Sequence, residues 1–133
     1  MARTNAVAII EDLNKAALKS DLPKMDIGDT INVHCRIVEG EKERIQIFQG
    51  VLIARSGRGI NEMIIVRRIV DDMGVERYFP VNSPRVAKYE VIRKADARRA
   101  KLYYLRDRVG KSRRLRDKRR GMEKAMGAET AKA

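Results

Sequence analysis

"TINVHCRIVEG", Thr30 to Gly40, is the stretch on which the fold turns. Ile31, Val33, Cys35 and Ile37 fall on one side of an extended chain, and Asn32, His34 and Arg36 fall on the other. Alternation with a period of two is the mark of a half-buried β-strand. Reading downstream, the polar "EGEKER" around Gly40 predicts a turn, and "IQIFQGVLIA" resumes as a long strand with Gly50 inside it. A glycine within a strand points to a bulge or a sharp bend. "RSGRGINE" reads as a loop, "MIIVRRIV" as a strand, "DDMG" as a turn and "VERYFPV" as another strand. "NSP" then turns the chain into "RVAKYEVI".

About five strands with short connections and no intervening helix suit a small, bent, partly closed antiparallel barrel of the SH3-like or OB type. With no Trp and only two Phe, its core must rely on Ile, Val and Leu. Upstream, "TNAVAIIEDLNKAALK" puts Ala6, Ile10, Leu13 and Ala17 on one face of a short amphipathic helix, which is expected to pack on the body. "LPKMDIGDT" breaks that pattern. Downstream of Ile92 the strand signals stop. "RKADARRAKLYYLRDRV" is rich in helix formers, with Leu102, Leu105 and Val109 as a thin apolar edge. Gly110 ends or kinks that helix, and a second helix starting near Ser112 would have little to bury. The fold class expected is therefore mainly β, as a small barrel of about five antiparallel strands. Residues 1–22 form the N-terminal helix, 23–92 the barrel, and 93–133 a basic helical extension ending in a loose tail.

The 133 residues carry a formal net charge of +12, distributed unevenly. Residues 1–90 are close to neutral, with 14 Lys+Arg against 13 Asp+Glu, whereas residues 91–120 hold 14 basic and 3 acidic residues. Such asymmetry calls for a polyanionic partner. Nucleic acid suits it better than a membrane, because Leu115, Met122 and Met126 are too few to make an apolar face.

Other motifs dissolve on inspection. "GKS" at Gly110 to Ser112 lacks the P-loop's earlier glycine, since that position is Leu105. "GRG" at Gly57 to Gly59 lacks the third glycine of a dinucleotide fingerprint, since Glu62 stands there. His34 and Cys35 are neighbours on one strand and point to opposite faces, so they form no dyad. With one His and one Cys, the chain offers no internal disulfide, no metal site, no catalytic constellation and no cofactor or small-molecule site. The short "AVAII" run is no signal-peptide core, and no stretch reaches the length of a membrane span. A soluble cytoplasmic protein without enzymatic activity is expected.

The candidate RNA contacts are Arg93, Lys94, Arg98, Arg99, Lys101, Arg106, Arg108, Lys111, Arg113, Arg114, Arg116, Lys118, Arg119 and Arg120. Arginine forks onto phosphate and also stacks on bases. Tyr103 and Tyr104 add flat surface suited to unpaired RNA. On a helix they diverge by about 100°, so one is expected to pack on the barrel and the other to meet RNA, without the sequence saying which. A sparser set lies on the barrel at Arg55, Arg58 and Arg67, where Arg67 and Arg68 point to opposite faces.

These stretches, in order, resemble the bacterial 50S large-subunit ribosomal protein L-nineteen family. The resemblance rests on "IGDTINV", "VEGEKERIQIFQGVLIA", "RSGRGINEMIIVRRI", "GVERYFPVNSP" and, most specifically, "RRAKLYYLRDRVGKSRRLR". It covers roughly residues 5–120. It implies an SH3-like barrel with helical ends and a structural, ribosome-bound role at the intersubunit face of the large subunit. It also implies contact with large-subunit rRNA, bridges to small-subunit rRNA, and the large-subunit proteins numbered fourteen and three as neighbours. A free RNA- or DNA-binding regulator is the competing reading, distinguished by a pool of the protein outside ribosomes.

Overall fold

The structure, a computed structural model, describes residues 5–118. One helix, α1 (Ala6–Ala16), precedes five strands: β1 (Thr30–Glu39), β2 (Lys42–Ser56), β3 (Met63–Val70), β4 (Met73–Pro80) and β5 (Val86–Arg93). All pairings are antiparallel, and the spatial order is β4-β3-β2-β1-β5. The predicted strands appear where the sequence placed them, some as alternating stretches and some as short apolar runs bounded by turns.

Tight turns set the register. Glu39 faces Lys42 across Gly40 and Glu41, with Gly40 at φ 60°. Val70 faces Met73, and the intervening Asp71 and Asp72 both take left-handed conformations, φ 49° and 62°. Positive φ at both central residues is the geometry that matches the twist of a two-residue hairpin, and Asp tolerates it better than most side chains. Gly50 meets a different demand. A Cβ there would lie 2.5 Å from the Arg67 carbonyl oxygen and 2.7 Å from Val66 Cγ1. The glycine thus permits close approach of β3, while the bulge in this ladder falls between Leu52 and Ala54.

The sheet curls strongly. One core gathers Ile31, Val33 and Cys35 of β1, Phe48 and Leu52 of β2, Ile64 and Val66 of β3, Phe79 of β4, and Val86 and Tyr89 of β5. Phe48 and Phe79, two strands apart, meet with ring centroids 5.7 Å from each other. The Tyr89 hydroxyl donates toward the carbonyls of Pro80 and Val81, which ties β5 to the end of β4. Among the described residues no ladder joins β4 to β5, so the expected barrel is an open sheet curled over its core rather than a hydrogen-bonded closure.

The other face of β2 and β3 is buried as well. Ile53 and Ala54, at the bulge, and Ile65, between Ile64 and Val66, pack against Leu102 and Leu105. Burial on both faces explains why "VLIA" and "MIIV" are continuous apolar runs. His34 departs from the expected alternation: it is buried, and its Nε2 sits 3.1 Å from a Glu90 oxygen on the neighbouring strand. The N-terminal helix departs too. Asn5 caps it by accepting from the Val7 N–H, but none of its residues is buried, and Ile10 and Leu13 are exposed.

Candidate nucleic-acid interface

The basic segment is not the α-helix its composition suggests. Among the described residues beyond β5 there are two short 3-10 turns, Tyr103–Asp107 and Gly110–Arg113, joined by extended chain. Backbone donors that a helix would use internally are engaged elsewhere. The Leu102 N–H donates to the Ile53 carbonyl at 2.9 Å, the Asp96 N–H to Arg116 at 2.7 Å, and the Lys118 N–H to Lys94 at 3.0 Å. A helix would also stack like charges three and four residues apart, which is unfavourable. Tertiary contact has overridden propensity here.

The result is an excursion with its two ends joined: Ala95 pairs with Asp117 in an antiparallel bridge. Leu102 and Leu105 pin the middle of the excursion to the sheet, with Ala97, Tyr104 and Leu115 partly buried beside them. Val109 takes no part in this anchor and is 76% exposed, contrary to the expected apolar edge. Gly28 lies beneath, at φ 97°, where a Cβ would meet Ala97 Cβ at 2.9 Å and Leu115 Cδ1 at 3.3 Å. Asp29, fully buried, accepts from the N–H of Asp26 at 2.9 Å and from that of Ala95 at 3.4 Å, so it holds the entry of the segment.

Carboxylates sort the candidate cations into two groups. Six have an acidic partner. Arg55 pairs with Glu62, Arg67 with Glu76 at 2.9 Å, Arg93 with Asp117, Lys94 with Asp26 at 3.7 Å, Arg106 with Glu76 at 2.7 Å, and Arg113 with Asp72 at 3.2 Å. Arg58, Arg98, Arg99, Lys101, Arg108, Lys111, Arg114, Arg116 and Lys118 have no carboxylate within salt-bridge distance among the described residues. Arg119 and Arg120 lie outside the described residues, as does the predicted tail.

Glu76 is the residue sequence reasoning missed. It receives Arg67 from β3 and two hydrogen bonds from Arg106, at 2.7 and 2.8 Å, across thirty residues of sequence. A lone acid between Val75 and Arg77 on a strand was its only local signal. The Arg106 hydrogen bonds, reinforced by Arg67, hold its carboxyl below the ordinary value of 4.5. Because the folded form has the depressed pKa, the unfolded chain binds more protons at acid pH and stability rises with pH. The Glu76 contribution is thus complete above about pH 5 and is lost as pH falls through the folded value. Glu76→Gln is expected to flatten that part of the pH profile, as read by urea unfolding at several pH values between about 3 and 6. An unchanged profile would show that the clamp contributes nothing.

The two tyrosines differ in burial, as the packing half of the expectation requires. Tyr104 is partly buried against the second core, whereas Tyr103 is 39% exposed. Both are flanked by cations. Lys101 and Arg106 lie 5.9 and 4.5 Å from the Tyr103 ring centroid, and Arg99 and Arg108 lie 5.6 and 4.6 Å from that of Tyr104. Beside Tyr104 opens a cleft of about 600 Å³ lined by Asp96, Arg98, Arg99, Arg108, Arg114, Leu115 and Arg116.

Comparison with known proteins fits this geometry. Residues 8–118 match the family described as Ribosomal protein L19. A protein of Rhodopirellula baltica named Large ribosomal subunit protein bL19 is 59% identical over 113 residues, spanning 85% of this chain and 97% of that protein.

Proposed function

Because this chain belongs to the ribosomal protein L19 family, we propose that it binds rRNA of the large ribosomal subunit through the carboxylate-free cations of residues 98–118. As a member of that family it is a structural constituent of the ribosome and serves translation. Its work is then binding rather than catalysis. In this reading residues 23–92 are a rigid platform, an SH3-like barrel in family terms, and residues 93–133 are the RNA-binding extension. The site lies at the intersubunit face, where it also bridges to small-subunit rRNA, with the large-subunit proteins numbered fourteen and three beside it.

One observation carries the proposal: a cluster of guanidiniums held in place by backbone and apolar contacts, yet without a carboxylate in salt-bridge distance among the described residues. A protein that needed these cations for its own stability would have paired them, as it pairs Arg67 and Arg106 with Glu76. The exposed Tyr103 ring, with two cations over it, is a surface for an unstacked base.

If about seven to ten side chains meet phosphates, affinity for isolated rRNA fragments should fall with salt at a log–log slope of about −5 to −7. A slope shallower than about −2 contradicts phosphate-led binding. The location is tested by sedimenting a lysate at low magnesium, which parts the subunits. Stoichiometric recovery with the large subunit after a high-salt wash is expected. Recovery mainly at the top of the gradient would overturn the reading.

A further inference from the structure

The arginine cleft beside Tyr104 has a shape that narrows what RNA it can receive. Its two walls are the limbs of one excursion: Arg98 and Arg99 come from the limb that leaves β5, and Arg114 and Arg116 from the limb that returns. Arg108 comes from the chain between the two 3-10 turns. The limbs are fixed relative to each other before any ligand arrives. Ala95 bridges Asp117, the Asp96 N–H reaches the Arg116 carbonyl, and Arg93 holds both Asp117 and the Leu115 carbonyl. Arg99 and Arg108 rest over the Tyr104 ring, which is itself packed into the second core. The cleft is therefore built and oriented, and among the described residues it contains one carboxylate, that of Asp96.

Five guanidiniums facing one another across such a space repel unless anions enter. A phosphodiester carries one negative charge and two free oxygens, which one or two arginine forks satisfy. At two forks to a phosphate, Arg99, Arg108, Arg114 and Arg116 take two phosphates close together between the limbs, and Arg98 is left for a third. A regular A-form duplex carries its phosphates on a broad, even cylinder, which meets the rims of the two limbs before the space between them. A strand that bulges or reverses direction sharply projects successive phosphates outward on a narrow ridge.

We propose that this cleft recognises a bulged or sharply turned RNA strand, seating at least two consecutive phosphates between Arg99 and Arg108 on one side and Arg114 and Arg116 on the other. The proposal rests on the rRNA-binding reading above and gives that reading a shape preference. The site selects backbone geometry rather than base identity, since in this proposal its forks are taken up by phosphate oxygens. Asp96 sits in the cleft as the one group that a misplaced phosphate would encounter unfavourably.

The test uses the full chain and two synthetic RNAs, a perfect 16-base-pair duplex and the same duplex interrupted by a three-nucleotide bulge, with affinity measured at one fixed salt concentration. The wild-type protein should prefer the bulged RNA by about 10-fold or more. Arg99→Gln with Arg114→Gln should lower affinity for the bulged RNA by about 30-fold and for the duplex by under about 3-fold. Arg99→Lys with Arg114→Lys, which keeps charge but loses the fork, should retain only part of the preference. Lys101→Gln with Lys111→Gln, outside the cleft, should weaken both RNAs alike. The proposal is overturned if the wild type binds both RNAs equally, or if the cleft variants lose both equally. Binding to neither RNA would instead sink the rRNA-binding reading itself. Far-ultraviolet circular dichroism of each variant establishes that the sheet is intact.

Discussion

Reversing Arg99, Arg114 and Arg116 to Glu together is expected to lower association with the large subunit by more than about 100-fold while leaving the sheet folded. In the proposed reading each substitution removes one phosphate contact and replaces it with a repulsive charge, so the change at each site is two units. Among the described residues none of the three has a carboxylate in salt-bridge distance to strand, and all three are exposed. That is the condition under which binding can be destroyed without destabilising the fold. Arg113 is left out deliberately. It is paired with Asp72, its side chain is 20% exposed, and reversing it would mix repulsion inside the protein with loss of RNA contact. Sedimentation with purified subunits measures the first half of the prediction, and thermal unfolding by circular dichroism measures the second. Full association by the triple variant would show that the partner-free cations are a solvated face. Loss of the β-sheet signal would show that they are structural.

Leu102→Ala is expected to cost about 2–4 kcal/mol, because the side chain is fully buried and its removal leaves a cavity between the segment and the sheet. Against the roughly 5–15 kcal/mol that holds a typical domain, this is a severe loss. Its consequence should be local before it is global. Leu102 contributes both its side chain, among Ile53, Ala54, Ile65 and Leu105, and its N–H, to the Ile53 carbonyl. The first core does not include it. Amide exchange should therefore accelerate at Leu102 and Leu105 well before it does at Val33 or Val66. RNA affinity should fall by about 10-fold, since the limbs must then be ordered at the moment of binding. A stability loss below about 1 kcal/mol would mean that the segment is not fastened through this residue.

The two results bear on different levels of the molecule. Charge reversal tests what the segment presents, and Leu102 tests what holds it there. Glu76 lies between them, since its pairing with Arg106 is both a fastening and a subtraction from the free positive charge.

How much of this was written in the chain alone follows from the range of each interaction. Strand positions were legible because alternation is a property of neighbouring residues: Ile31, Val33 and Cys35 declare a buried face whatever lies opposite. The partition of charge was legible for the same reason, since counting needs no geometry. The anchor was half legible. Leu102 and Leu105 were marked as apolar, but their spacing suits one 3-10 turn as well as it suits an α-helix, and only the Ile53 carbonyl waiting for the Leu102 N–H decides between them. Which arginines lack a carboxylate partner among the described residues was not legible at all. Arg106 is neutralised by a carboxylate thirty residues away, and Arg113 by one forty-one residues away. Composition gives both the same weight as Arg114. Local pattern thus determined that this protein is a β-sheet carrying a basic arm. Only the tertiary structure, by bringing distant acids to some cations and withholding them from others, decided where that arm keeps its charge.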